Sequence, residues 1–359
     1  MINDVRIIAI NPGSTTTKIA VFDGENPLFQ KTIFHSKSDL KPFKKITDQF
    51  EFRKGVILSE LKKGGISLDN VQIIMGRGGL LKPIPSGVYE VNDTMIRDLL
   101  SDKLGEHASN LGGLIAHNLA ESIPGAKAYI VDPIVVDELS DLARIAGHPL
   151  FERTSIFHAL NQKAIAREYA KSIHCRYEDL NLLVVHLGGG ITVGAHLKGQ
   201  VVDVNQGLNG EGPFTPERGM TLPSNQLVKI CFSGKYTEQQ VMKMVSGESG
   251  LVAYLGTNSA KEVSKRVSEG DAKAKLIYDA MAYQTAKEVG AMAAVLNCEV
   301  DAILITGGIA HDEYFVNKIK ERVCRLAPVF VYPGEDEMRA MAMNGLMLFN
   351  KELEPKVYC

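Results

Sequence analysis

The sequence predicts an α/β protein of two domains, and three observations carry that reading. With 359 residues, 45% of them apolar, the chain is too long for one comfortable hydrophobic core. Short apolar strand patterns alternate with helical periodicity along its whole length. One strand–turn–strand plan also recurs half a chain apart. Ile7 to Asp23 (IIAINPGSTTTKIAVFD) and Leu182 to Asp203 (LLVVHLGGGITVGAHLKGQVVD) each pass from an apolar strand through a tight turn of small residues into a second apolar strand. Matching hairpins of this kind point to two halves facing a shared cleft.

Taken in order, residues 6–10 and 18–22 are the expected strands of the first hairpin. Phe43, Ile46, Phe50, Ile57 and Leu61 recur at helical spacing, which predicts a helix from Phe43 to Leu61. Asn110 to Ile123 reads as a second helix and Ala128 to Val136 as an apolar strand. Residues 182–187, 191–197 and 200–204 form a three-strand meander. A long helix from about Ala272 to Leu296 carries Ile277, Met281, Val289, Met292 and Leu296 on one face. Strands at 302–306 and 328–332 follow, the first running into a glycine turn (ILITGGIA, Ile303 to Ala310), and a helix from Glu337 to Phe349 closes the pattern. No low-complexity linker interrupts it.

Composition removes several function classes. Charged residues are 23% and the formal net charge is -2, which leaves no electrostatic footprint for nucleic acid or an anionic membrane. The lysines around Lys41–Lys45 and Lys62–Lys63 sit beside acids and read as solvated helix faces. The first apolar run, Ile7 to Ile10, is too short for a signal-peptide core, and nothing later resembles a membrane span, so a cytoplasmic location is expected. Five cysteines, at 175, 231, 298, 324 and 359, fall singly, against both a disulfide framework and a structural zinc site.

The first hairpin turn holds Asn11, Ser14, Thr16 and Lys18 around Gly13. Glycine lets a ligand approach the backbone, N–H groups and hydroxyls cradle an anion, and lysine adds a compact positive charge. An ordinary polar turn uses the same residue types. The matching run Gly188-Gly189-Gly190 favours phosphate binding, because a bare turn seldom needs three glycines. There is no G-x-x-x-x-G-K-[ST], no G-x-G-x-x-G after a strand and no protein-kinase loop. Arg77 and Arg218 are each flanked by glycine, which would present a planar fork to phosphate or carboxylate oxygens; a surface ion pair is the plain alternative. Asp132 ends an apolar strand, where ligand crevices of open α/β sheets lie, or else caps a helix. His158 opens a helical stretch, and like His107 and His186 it is a lone histidine that could be purely structural.

Taken together, Asn-x-Gly-Ser-x-Thr-x-Lys, Arg-Gly-Gly, Val-Asp-Pro, Phe-His, His-Leu-Gly-x-Gly and Thr-Gly-Gly-Ile resemble, in this order, the acetate and butyrate kinase family over essentially the whole chain. Asn11 to Lys18, Arg77 to Leu81, Glu106 to Gly112 and Gly212 to Arg218 are most similar to its butyrate kinase branch. The resemblance implies two ribonuclease-H-like, actin-like ATPase domains with mixed sheets and an interdomain cleft. The first domain would be residues 1–134 with 340–359, the C-terminal helix crossing back, and the second residues 135–339. It implies ATP/ADP and Mg²⁺ as cofactors, a small carboxylate as substrate, and a homo-oligomer, dimer or larger.

Residue by residue, the resemblance assigns Asn11, Ser14, Thr16 and Lys18 to one phosphate loop and His186, Gly188, Gly189 and Gly190 to the other. Gly307 and Gly308 would lie against adenosine. Arg77 and Arg218 would hold the carboxylate and the phosphoryl group, with His158 donating to the phosphoryl oxygens. Asp132 and Glu337 would stand on the magnesium side, Glu335 and Asp336 being alternatives to the latter. Acetate kinases read R-V-V-H-G-G where this chain goes directly from Arg77 to Gly78-Gly79. The shorter segment, with Leu80, Leu81, Ile84, Val88 and Phe157, implies room for a longer alkyl chain and hence butyrate. Acetate, propionate or isobutyrate remain alternatives, as does a nucleotide-binding sensor without catalysis. The missing catalytic base fits this chemistry, because an aliphatic carboxyl ionises near pH ~4 and arrives as a ready nucleophile.

Overall fold

The computed structural model describes residues 5–208 and 210–359. They fall into two units, one reaching to Val136 and including Asp336–Cys359, the other Asp137–Glu335. The first unit holds strands β1 (Arg6–Pro12), β2 (Thr16–Asp23), β3 (Asn26–Phe34), β4 (Val71–Arg77), β5 (Val88–Glu90) and β6 (Lys127–Val131), ordered β3-β2-β1-β4-β6-β5. Strands β1 to β3 form an antiparallel meander, β4 and β6 run parallel to β1, and β5 closes the far edge antiparallel.

The second unit repeats the plan with β7 (Asn181–Leu187), β8 (Ile191–Leu197), β9 (Gln200–Val204), β10 (Ala302–Gly307) and β11 (Val329–Pro333), ordered β11-β10-β7-β8-β9. Again three strands make an antiparallel meander, and two more lie parallel to its first strand. This is the ribonuclease-H-like layout, present twice.

Burial explains the layers. Ile8, Ile10, Ile19, Val21 and Ile74 of the first sheet join Leu111, Ile115 and Leu119 of the helix Asn110–Glu121 in one core. That helix touches β4 backbone to backbone: a Cβ on Gly76 would collide with the Gly112 carbonyl, and one on Gly112 with the Arg77 carbonyl. In the second unit the 24-residue helix Ala272–Val295 buries Tyr278, Met281, Val289 and Met292 against Val185, Val193 and Ile305.

Where local physics overrode the pattern, the elements differ from expectation. The helix expected from Phe43 begins at Phe50, after a 3₁₀ turn at Thr47–Gln49. The strand expected to reach Val136 stops at Val131, because Asp132 takes a positive φ of 38° and Pro133 has no N–H to donate. All five cysteines are free and exposed. Among the described residues, no helix is long and apolar enough to cross a membrane.

Candidate active site

In each unit the predicted residues gather at the carboxyl ends of the parallel strands, the edge where open α/β sheets bind ligands. In the first unit, Asn11 lies next to the last residue of β1 and the turn returns through Thr16 to Lys18 on β2. Asn11, Thr16, Lys18, Arg77 and Glu337 line a small cavity of about 200 Å³, together with His107, Ser109 and Ile134. Ser14 stands exposed at the tip of the turn, outside that lining.

The turn is held from beneath by Arg53, a residue the sequence reading passed over. Its guanidinium, fully buried, donates to the carbonyls of Gly13 (2.8 Å), Thr16 (2.8 Å) and Ser14 (3.1 Å). It also donates to Thr17 Oγ1 at 3.1 Å and to Gln49 Oε1 at 2.9 Å. Burial pushes its pKa down to about 10, so it is still a cation at neutral pH. With its carbonyls drawn to one side, the turn is held in a single shape. The signal was an arginine on the apolar stripe of Phe50, Ile57 and Leu61.

Arg77 ends β4, buried, and its Nη1 pairs with Glu337 Oε1. The Arg77 Nε is buried without a hydrogen-bond partner. Glu337 Oε2 accepts from Asn11 Nδ2 at 2.5 Å. The glycines beside Arg77 serve packing more than presentation: a Cβ on Gly78 would strike Pro133, and one on Gly79 the side chain of Asn110. Leu81, expected near the acyl chain, belongs to the first unit's core, and Ile134 rather than Leu80, Leu81, Ile84 or Val88 lines the cavity.

The three neighbouring acids separate cleanly. Glu335 faces His186, Asp336 caps the helix Glu337–Phe349 by accepting from Arg339 N at 3.0 Å, and Glu337 turns to Arg77. Asp132 is fully buried; its Oδ1 accepts from Gly87 N at 2.8 Å while its own N–H donates to Gly87 O at 3.1 Å. No helix follows it, so it is not the N-cap that its position also suggested. Its left-handed φ is a strained conformation of the kind that clusters at functional sites, held here by that reciprocal pair.

In the second unit, Gly188 to Gly190 form the turn between β7 and β8. Gly190 has no room for a Cβ because the Arg218 guanidinium lies there, donating through Nη1 to Gly207 O. Arg218 is fixed at its root too: its N–H donates to Thr215 Oγ1 at 3.2 Å, and that hydroxyl donates to Gly189 O at 2.7 Å. Burial lowers its pKa below the ordinary arginine value. The His158 ring stacks on the His186 ring at 3.7 Å, 10° from parallel. His186 meets Glu335 Oε1 through Nε2 at 3.1 Å and Asn161 Oδ1 through Nδ1 at 2.7 Å. Phe157, beside His158, is buried.

A larger cavity of about 850 Å³ is lined by Gly188, Gly189, Gly308 and Glu335. Asn258, Lys261 and Asp312, which the sequence reading did not single out, line it as well. That volume lies in the range of small-molecule sites, whereas 200 Å³ suits a much smaller ligand. At φ 96° Gly307 passes so close to the Leu187 carbonyl that no Cβ fits, and Gly308 beside it lines the cavity.

Among the described residues, no group of three or more His, Cys, Asp or Glu side chains could hold a metal ion. Magnesium does not require one, since it keeps several waters and takes one or two carboxylates besides substrate phosphates. Asp132 and Glu337 are both buried carboxylates, and Glu337 lines the smaller cavity.

Two ribonuclease-H-like sheets, each with a glycine turn and a basic side chain at the ligand edge, define a protein of the actin-like ATPase fold. Solved structures share it. The acetate kinase of Porphyromonas gingivalis superposes with a TM-score of 0.75 at 18% identity, over 96% of this chain and 100% of that one. A propionate kinase from Francisella tularensis gives 0.73 at 17% identity, over 95% and 98%. The chain belongs to the acetokinase family, whose profile matches residues 150–340. It is 52% identical to Butyrate kinase 2 of Clostridium acetobutylicum across 98% of this chain and 99% of that protein.

Proposed function

We propose that this protein is a butyrate kinase, transferring the γ-phosphoryl group of ATP directly to butyrate to give butanoyl phosphate and ADP. The observation that carries the reading is the 52% identity to Butyrate kinase 2 over nearly the whole of both chains. The geometry supports it. The larger cavity beside Gly188, Gly189 and Gly308 has the size for a nucleotide, and the small one offers Arg77 to a carboxylate and Ile134 to an alkyl chain.

The acid arrives ionised, so no base is needed; the difficulty is bringing an anion to a polyanion and stabilising charge spread over the moving phosphoryl group. In this reading the Arg77 Nε and Nη groups hold the carboxylate, and Arg218 and His158 face the phosphoryl oxygens. Asn11, Ser14, Thr16 and Lys18 would contact one set of phosphate oxygens, and His186 and Gly188 to Gly190 another. Gly307 and Gly308 would border adenosine. Magnesium, when bound, would neutralise phosphate charge, and Asp132 and Glu337 would hold it directly or through water. A cytoplasmic location and self-association belong to the same reading.

Purified protein incubated with ATP, Mg²⁺, hydroxylamine and a panel of carboxylates tests the reaction and the substrate together. Each buried methylene is worth ~0.8 kcal/mol, and a matched pocket discriminates by roughly 1–3 kcal/mol. Butyrate is therefore expected to exceed acetate in kcat/KM by about tenfold or more. Acetate equal to butyrate would refute the butyrate assignment while leaving a carboxylate kinase, and no hydroxamate from any acid would refute both.

Asp132→Asn tests the magnesium-side role. Asparagine keeps an oxygen for Gly87 N and tolerates the left-handed backbone. The thermal midpoint is thus expected within a few degrees of wild type, while turnover drops and its Mg²⁺ dependence shifts to higher concentration. Full activity in the variant would make Asp132 a structural residue.

A further inference from the structure

We infer that Thr192, oriented by a buried chain of Gln162, His196 and Tyr177, holds His158 in the neutral form with its proton on Nε2. The inference rests on the reading that His158 donates to the phosphoryl oxygens, and adds the residues that make it a donor. The polarity of the chain follows from one group that can only accept. Gln162 Nε2 lies 3.1 Å from the backbone carbonyl of Thr192, so the NH₂ end of the amide must face it. The amide oxygen then points at His196 Nε2, 3.0 Å away, so that nitrogen carries the proton. His196 Nδ1 is left to accept from the Tyr177 hydroxyl at 2.6 Å.

The same Gln162 NH₂ donates to Thr192 Oγ1 at 2.9 Å. With a donor already entering the oxygen, the threonine proton is directed to His158 Nδ1, 2.9 Å from Oγ1. Nδ1 accepts, and Nε2 is the N–H. The opposite tautomer would turn a lone pair toward phosphoryl oxygens, which can only accept. The chain is insulated: Gln162, Thr192 and His196 are all fully buried. Burial and the nearby charges of Lys163 and Arg167 hold His196 well below its ordinary pKa, so it stays neutral and cannot reverse the order. Gly194 completes the fit, since a Cβ there would run into Gln162 Oε1 and His196 Nε2. Thr192 also pairs with His186 across β7 and β8, and the His158 ring stacks on the His186 ring.

The test is long-range ¹H–¹⁵N correlation of the full chain with labelled histidine, the His158 signals assigned by their loss in His158→Gln. In wild type, Nδ1 is expected as an unprotonated ring nitrogen and Nε2 as an N–H. Thr192→Val, nearly isosteric, is expected to abolish this signature and lower kcat by about 10-fold, the lower end for an outer-shell partner, with KM for acid and nucleotide almost unchanged. Thr192→Ser should restore both. A wild-type proton on Nδ1, or an unchanged signature in Thr192→Val, overturns the inference, and the wild-type spectrum alone suffices if the valine variant does not fold. Full turnover in His158→Gln would instead overturn the catalytic reading of His158, and the tautomer measurement tells the two failures apart.

Discussion

Arg218→Ala is expected to lower kcat by at least ~10²-fold while the protein stays folded, the scale set by removing one preorganised charge from a transition state. The guanidinium lies over Gly190 and donates to Gly207 O, and its backbone is tied to Thr215, so its position is set before substrate arrives. Being partly desolvated, it interacts more strongly with developing charge than an exposed arginine would. Lysine should not rescue, because one ammonium cannot both reach Gly207 O and present a fork to phosphoryl oxygens. Steady-state kinetics and a melting curve decide it: near-normal turnover in a folded variant would reduce Arg218 to a packing residue. Arg77→Ala should cost at least as much, with a further loss of stability, because Glu337 Oε1 loses its buried partner.

Arg53→Met is the second large effect, and it reaches activity through the backbone. Removal leaves the carbonyls of Gly13, Ser14 and Thr16, Thr17 Oγ1 and Gln49 Oε1 without their common donor. A buried polar group left unpaired costs about 1–3 kcal/mol, though a turn can relax toward water. A destabilisation of about 3 kcal/mol is therefore expected, from several buried acceptors losing one donor at once. A two-unit chain need not unfold in one step, so the measurement is hydrogen exchange at the amides of residues 11–18, expected to lose protection first. The KM for nucleotide should rise as the turn loses its shape. Unchanged protection would mean that the turn holds itself.

Much of the fold was legible because its strongest patterns are local. Both hairpins, the helix Ala272–Val295 and the helix Glu337–Phe349 lie where periodicity puts them. Strand β3 was missed because it sits at a sheet edge with most of its residues exposed and offers no alternation. Strand β4 was missed although Val71, Ile73, Ile74 and Met75 offered a readable signal. The glycines were harder. A missing side chain announces a close approach without naming what approaches. Gly76 admits Gly112, Gly112 admits Arg77, Gly190 admits Arg218, and Gly307 admits Leu187, although Gly190 and Gly307 read equally well as ligand contacts. Arg53 and the Gln162–His196 pair were passed over for a related reason: most of their partners come from elements distant in sequence.

The return of the chain to the first unit at Asp336 has a consequence for biosynthesis. Asp137–Glu335 is one uninterrupted stretch, so a ribosome delivers the whole second unit before the first can be completed. The first unit waits for the stretch that brings Glu337 to Arg77 and seats Tyr358, whose hydroxyl donates to Asp98 at 2.7 Å and accepts from Lys82 N at 3.1 Å. Until then Arg77 lacks its counter-ion and Asn11 its acceptor. A nascent chain stalled before Asp336 would thus carry the whole second unit and an incomplete first one, and competence would wait for the translation of Asp336–Cys359.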